Sequence, residues 1–148
     1  MGHTNNYIVI NEEINKVFDI TNDIDNWKNL FSEYEESKVL KKEDNKLTFQ
    51  LTLKPEGDRP ARTWISQRIL DKANYRCEAE RIEPKYPFEY MKIFWEYNTL
   101  PEGTKMTWVQ DFKVHEDCPW DDKKMEDHLN KNTKIQMQII KERIENTN

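Results

Sequence analysis

The sequence is poor in glycine and cysteine, has no long apolar run, and shows no cluster of basic charge. Each shortage removes a class of protein. Two cysteines, Cys77 and Cys118, make at most one bridge in 148 residues, so no disulfide framework supports the fold. Three scattered histidines, His3, His115 and His128, give no zinc spacing with them, and no metal site is expected. No run approaches the roughly 20 apolar residues of a membrane span, so no membrane partner is expected. The opening MGHTNNYIVINEE lacks a basic start, an apolar stretch and a cleavage site, which reads as no signal peptide and a reducing, cytoplasmic setting. The net charge is −5, and basic residues alternate with acids in KKEDNK and DDKKMED. That pattern is a solvated surface, whereas a nucleic-acid binder needs clustered Lys and Arg. With three glycines, no internal repeat and no Gly/Ser linker, a single domain over residues 1–148 is expected.

Aliphatic side chains are also scarce. Leu, Ile, Val and Phe together number 32 of 148, close to the level at which chains fail to fold. Aromatics compensate: five Trp, six Tyr and six Phe can each bury about 150–250 Å². The core must therefore be aromatic, and an aromatic wall suits a ligand cavity better than a dense aliphatic interior does.

Periodicity sets the order of elements. YIVI (7–10) reads as a short buried strand. Asn11 offers a helix N-cap, followed by Glu12 and Glu13 and by Ile14, Val17 and Phe18 at helical spacing. Ile24, Trp27, Leu30 and Phe31 predict a second short helix. From about 35 to 114 the period is two. Strands are predicted near 36–42, at 47–53 (Leu47, Phe49, Leu51 and Leu53 on one face), and at 62–70, 75–83, 88–98 and 105–114. EDNK, PEGD and PEGT supply turns between some of them. Strands this close in sequence imply an antiparallel meander. The segment 125–145 returns to helical spacing, with Met125, Leu129, Asn132, Gln136, Ile139, Ile140 and Ile144 in one stripe. Amides interrupt that stripe at its middle. The expected fold is α+β: a strongly curved antiparallel sheet around one long C-terminal helix, with two short helices after the first strand.

Alternation places Trp64, Ser66 and Arg68 on one strand face. The matching faces of the following strands carry Cys77, Ala79 and Arg81, then Met91, Ile93, Trp95 and Tyr97, then Met106, Trp108, Gln110 and Phe112. Two arginines among indoles need a partner, water or an oxygen-rich ligand, because an unpaired buried charge costs several kcal/mol. A cross-strand pair of Arg68 with Glu80 is one ordinary solution, and acids flank Arg81 as well. Ser66 has no histidine nearby in sequence to make it a nucleophile. Tyr34 alone reads as a packed aromatic, and His128 as helix structure. Together, Trp, Arg, Ser and Tyr suggest an aromatic-walled small-molecule site.

TNDIDNWKNLFSEY (21–34), TWISQR (63–68), PFEYMKIFWEY (87–97), TKMTWVQDF (104–112) and LNKNTKIQM (129–137) resemble aromatase/cyclases of bacterial aromatic (type II) polyketide pathways, of the tetracenomycin and spore-pigment type. That family belongs to the START-related, birch-pollen-allergen-like helix-grip superfamily, and the resemblance runs from about residue 7 to 145. It implies Arg68, Tyr34 and Ser66 as catalytic residues. Trp27, Phe31, Trp64, Arg81, Phe88, Met91, Trp95 and Trp108 are implied as substrate-binding positions. The implied substrate is a poly-β-ketone on an acyl carrier protein, with other synthase subunits as partners and no cofactor. The implied reaction is an aldol ring closure, loss of water and aromatisation. The chain departs from the family pattern at Arg62, in KPEGDRPAR and at KYP (85–87). A non-catalytic carrier of lipid or aromatic molecules is the alternative the same fold allows. Lys54, Arg59 and Arg62 form the expected contact for an acidic carrier protein.

Overall fold

A computed structural model of the chain describes residues 1–146. Strand β1 (Gly2–Ile10) is followed by helix α1 (Ile14–Thr21), a 3₁₀ turn (Ile24–Asn26) and the one-turn helix α2 (Trp27–Leu30). Strands β2 (Tyr34–Glu43), β3 (Lys46–Leu53), β4 (Arg62–Asp71), β5 (Arg76–Glu83), β6 (Phe88–Leu100) and β7 (Gly103–Val114) then run in succession to helix α3 (Asp122–Glu145). All strand pairs are antiparallel, in the order β1-β7-β6-β5-β4-β3-β2. The meander and the order of helices agree with the sequence reading.

The expectation of a sheet strongly curved around the helix is corrected. The seven strands form an open sheet, with β1 and β2 as separate edges that do not pair. Helix α3 lies chiefly along β1, with smaller contacts to β7 and α2, rather than being gripped by the whole sheet. The physical reason is that other elements satisfy backbone groups of both edges. At β1, the His3 N–H donates to Glu126 at 3.0 Å and Lys141 Nζ donates to the Val9 carbonyl at 2.7 Å. At β2, the Val39 N–H donates to Asp25 at 2.8 Å.

Two boundaries also move. Strand β1 starts at Gly2 rather than Tyr7, because its inward positions Thr4 and Asn6 are polar and leave no apolar alternation to read. Thr4 donates to Gln110 at 2.9 Å and Asn6 to Asn130 on α3 at 2.9 Å, so both are buried with partners. Gly2 admits the Phe112 ring, which would lie 2.1 Å from an added Cβ. Helix α1 is capped by Glu13, not Asn11. Its carboxylate accepts from the Asn15 and Lys16 N–H groups at 2.9 and 2.7 Å, while the Glu12 N–H turns back to the Ile10 carbonyl. Helix α3 starts at Asp122, three residues before the predicted stretch, with the Asp121 side chain accepting from the Lys124 N–H at 2.8 Å.

The main core lies between the sheet's inner face, α1, α2 and the C-terminal half of α3. It includes Ile10, Phe18, Trp27, Phe31, Phe49, Trp95, Trp108, Met137 and Ile140. A second cluster joins Phe88, Met91, Phe112 and Val114 to Met125 at the start of α3. Among the described residues no helix is long and apolar enough to cross a membrane.

Candidate active site

Arg68 defines the site. Its residue on β4 faces inward and is 2% exposed, whereas Ile69 beside it is 46% exposed. In the β4–β5 register Arg68 lies opposite Ala79, while Glu80 lies opposite Gln67 on the other face. The cross-strand ion pair with Glu80 is therefore absent by geometry. The inward residues of β5, Ala79 and Cys77, are small and buried, and the long Arg68 side chain passes over them toward β6. Its guanidinium sits 3.9 Å from the Trp95 ring centre and 5.4 Å from that of Trp27. Cation–π contacts of this kind reach about 2 kcal/mol when desolvated.

The partner that sequence reasoning missed is Asn22, the C-cap of α1. Its Oδ1 accepts from Arg68 Nε at 2.8 Å and from the Cys77 thiol at 3.4 Å. Its Nδ2 donates to the Phe18 carbonyl at 2.9 Å and to the Tyr97 hydroxyl at 3.2 Å. Tyr97 also meets Thr21 Oγ1 at 2.6 Å, and burial pushes its phenol well above the ordinary value. A neutral amide thus orients the arginine without quenching its charge. Among the described residues, two buried side-chain donors have no protein partner: Arg68 Nη2 and Trp108 Nε1. Both belong to side chains that contact the Trp95 indole. Replacing Asn22 with alanine is expected to destabilise the fold by about 1–3 kcal/mol, since it strips the remaining neighbours of their partner. Thermal unfolding measures it.

Aromatic rings surround this donor pair. Trp95 and Trp108 stack at 4.3 Å with planes 5° apart, and Phe31 and Trp27 continue the stack at 5.8 Å on Trp108 and Trp95 respectively. Tyr34 joins Trp27, Phe31 and Trp64 at ring distances of 6.1, 5.1 and 6.3 Å. The three indoles expected to share one wall are thus divided. Trp95 and Trp108 pack on each other, while Trp64 is half-buried beside Tyr34, with the Arg81 guanidinium 4.4 Å from its ring. A surface depression adjoins Trp64 between Gln50, Thr63, Ile65 and Pro84.

The remaining candidates are placed less centrally. Ser66 is buried, opposite Phe49 on one side and Arg81 on the other. Arg81 donates to the Pro84 and Tyr86 carbonyls at 2.8 and 2.9 Å, so the loop backbone, not a flanking acid, holds it. Burial and the nearby Arg62 bring its pKa down to about 10. Phe88 and Met91 belong to the second core cluster, with the Arg81 guanidinium 5.7 Å from the Phe88 ring. In the loop expected to meet a carrier protein, Arg59 turns back to donate to the Lys54 carbonyl at 2.8 Å, leaving Lys54 and Arg62 exposed.

Tyr34 is a phenol at any ordinary pH. Burial and the neighbouring Glu33 carboxylate push its pKa well up, against the pull of Arg81 and Arg68. Glu33, also missed, accepts from Asn132 Nδ2 at 2.8 Å, and burial raises its carboxyl above the ordinary value. The next amide along α3, Gln136, clasps Ser32 with two hydrogen bonds of 3.0 and 2.9 Å. The amides that interrupt the apolar stripe of α3 thus fasten it to the segment that carries Tyr34. Among the described residues no three His, Cys, Asp or Glu side chains gather to hold a metal.

This arrangement is a fixed cation and an indole donor inside an aromatic shell, with a neutral phenol beside it. The chemistry of these groups suits an oxygen-rich, largely apolar molecule, with the cation placed to stabilise negative charge developing on an oxygen. Comparisons with known proteins give the family. Residues 10–134 match the family described as "Polyketide cyclase / dehydrase and lipid transport". A candidate polyketide cyclase of Streptomyces cyaneus is 45% identical over 144 residues, covering 97% of this chain and 94% of that protein. Another, of Streptomyces halstedii, is 41% identical over 108 residues, covering 73% and 98%. The crystal structure of the Zhui aromatase/cyclase from Streptomyces sp. R1128 superposes with a TM-score of 0.85 at 17% identity, covering 97% and 93%. That last likeness concerns the fold. With a family match across most of its length and close relatives along nearly all of it, the chain belongs to the polyketide cyclase/dehydrase family.

Proposed function

We propose that the protein is an aromatase/cyclase of bacterial type II polyketide biosynthesis. Its substrate is a linear poly-β-ketone held as a thioester on an acyl carrier protein, and other synthase subunits deliver it. The reaction is an intramolecular aldol condensation between a chain methylene and a distant carbonyl, followed by dehydration and aromatisation. The observation that carries this reading is the Arg68 guanidinium, 2% exposed, oriented by an amide and presenting an unpartnered donor within indoles. A carrier of lipids or aromatic molecules with the same fold binds its ligand without altering it, so turnover separates the two readings.

The residues meet the demands of the chemistry. A methylene between two ketones is already acidic, so ring closure needs a modest base and no electron sink. The attacked carbonyl becomes an alkoxide, which Arg68 stabilises with a charge fixed in place before reaction. Tyr34, held neutral, donates a proton to that alkoxide, and Ser66, two residues before Arg68 on β4, orients the chain. The aromatic shell restricts a flexible chain to one folding, so that one of several possible closures has its reacting atoms in contact.

The test is reconstitution. Purified protein, supplied with a minimal synthase that builds the chain on its carrier protein, is expected to convert a mixture of spontaneously cyclised products into one dominant aromatic product. An unchanged product mixture, with the protein folded and able to bind a polycyclic phenol, would favour the carrier reading instead.

A further inference from the structure

We infer that Asn22 is the positioning residue of Arg68, and that its neutral amide, standing where a carboxylate is the ordinary partner, leaves the arginine's charge for the substrate. The inference rests on the cyclase reading above. Asn22 closes α1 with φ −112° and ψ 7°, a backbone open to any residue, so the cap itself does not call for asparagine. The demand comes from the side chain.

Hydrogen-bond chemistry fixes which way the amide points. The Val17 and Phe18 carbonyls can only accept, so the Thr21 hydroxyl, 2.7 and 3.3 Å from them, commits its proton there. Thr21 Oγ1 then accepts from the Tyr97 hydroxyl at 2.6 Å, and the Tyr97 oxygen accepts from Asn22 Nδ2 at 3.2 Å. The second Nδ2 proton goes to the Phe18 carbonyl at 2.9 Å. Oδ1 is thereby turned to Arg68 Nε at 2.8 Å and the Cys77 thiol at 3.4 Å. The amide has two protons and two lone pairs, and all of them are used. A flipped amide would set N–H against N–H at Arg68 and oxygen against oxygen at Phe18. The chain from Val17 through Thr21 and Tyr97 therefore holds one orientation.

A buried guanidinium commonly faces a carboxylate, which cancels most of its field. Among the described residues no acid pairs with Arg68; it donates to the amide and lies over Trp95 and Trp27. The titratable groups facing it are Cys77 on β5, Tyr97 on β6 and Tyr34 on β2. Burial raises all three above their ordinary values, so each stays neutral near pH 7. Arg68 Nη2, a buried donor with no protein partner, is where the charge can meet an oxygen. An uncancelled charge held still in a low-dielectric site stabilises a developing alkoxide better than a paired one does. Asn22 thus acts on the reaction through Arg68.

Asn22→Asp separates charge from scaffold. It keeps the shape and an acceptor for Arg68 and Cys77, and it supplies a carboxylate that ionises beside the guanidinium. In the reconstituted synthase, directed cyclisation is expected to fall about a hundredfold, the scale of losing an oxyanion donor. Asn22→Ala should fall less, because the guanidinium is loosened but not neutralised. Melting temperatures should run the other way, with Asn22→Asp above Asn22→Ala, because the aspartate keeps buried donors satisfied. A scaffolding role gives the same order in both measurements. A second readout needs no turnover. 2-Hydroxyanthraquinone bound to the wild-type protein should ionise about one pH unit or more below the free phenol, read from its phenolate absorbance. That shift should be lost in Asn22→Asp and in Arg68→Met. Tyr97→Phe loosens the chain without adding charge, so it should keep the shift and lower the rate several-fold. A wild-type protein that does not shift the phenol, or an Asn22→Asp protein with the wild-type shift or rate, overturns the inference. Should Asn22→Asp not fold, Tyr97→Phe at the wild-type rate overturns it instead. If Asn22→Asp loses the shift but the wild-type protein directs no ring closure, the cyclase reading falls alone. If both proteins direct closure equally, the role of Asn22 falls alone.

Discussion

Arg68→Ala is expected to abolish directed first-ring closure while leaving the protein folded. Removal of one donor to a developing oxyanion costs about 100- to 1,000-fold in rate, and here the donor also lies over two of the stacked indoles, Trp27 and Trp95. The fold should tolerate the loss, because the guanidinium donates to the neutral Asn22 amide, and among the described residues no acid pairs with it. Asn22 Oδ1 keeps the Cys77 thiol as a donor. Arg68→Met, which fills the volume of the stem without charge, guards against a packing effect, since neutral replacement of a buried charge is often stabilising. A poly-β-ketone left undirected does not wait; it cyclises into shunt products. Product identity is therefore the readout, with thermal unfolding as the control. Arg68→Lys should rescue only partly, because a point charge does not reproduce the planar fork that meets Asn22 and the Trp95 face together. Normal product from a folded Arg68→Ala protein would remove the residue from the mechanism.

Period-two alternation was enough to put Trp64, Ser66 and Arg68 on one face and to leave Ile69 outside, because a strand residue's side is set by parity alone. Parity is silent about curvature. Whether the sheet closes depends on what meets its edges, and the groups that do so here, Asp25, Glu126 and Lys141, lie far in sequence from some of the strand positions they satisfy. The partner of Arg68 was hidden for a similar reason. Asn22 is 46 residues away on another element, and nothing in its local sequence distinguishes it from an ordinary helix C-cap. The interruption of the α3 stripe by Asn132 and Gln136 was visible, but its purpose was not. Only the fold brings Ser32 and Glu33 beneath those amides. Polar positions on a buried face, at Thr4, Asn6, Asn132 and Gln136, were where the sequence most needed tertiary partners to be understood.

Trp95→Ala is expected to have the largest effect on stability. Trp95 is 5% exposed and touches Trp108, Trp27 and the Arg68 guanidinium, so its removal leaves a cavity bounded by large flat rings. Rings held on β7 and on the short helix α2 do not collapse easily into such a space, and truncations of this size cost about 3–5 kcal/mol. For a chain of this length that corresponds to a fall in Tm of about 10 °C or more. The same change removes the nearest aromatic face from Arg68 and frees Trp108 from its stack. Polycyclic phenol binding should therefore weaken more than Trp64→Ala weakens it, because Trp64 stands half-buried beside Tyr34 and outside the stack. Circular dichroism offers a direct check, since indoles stacked at 4.3 Å couple and give a paired far-ultraviolet band. That band should vanish in Trp95→Ala and persist in Trp64→Ala. Trp95→Phe should keep most of the stability and lose the band, which separates the role of ring packing from that of the indole itself. A Trp95→Ala protein with wild-type melting and binding would mean that Arg68 is held by Asn22 alone, and that the stack takes no part in shaping the site.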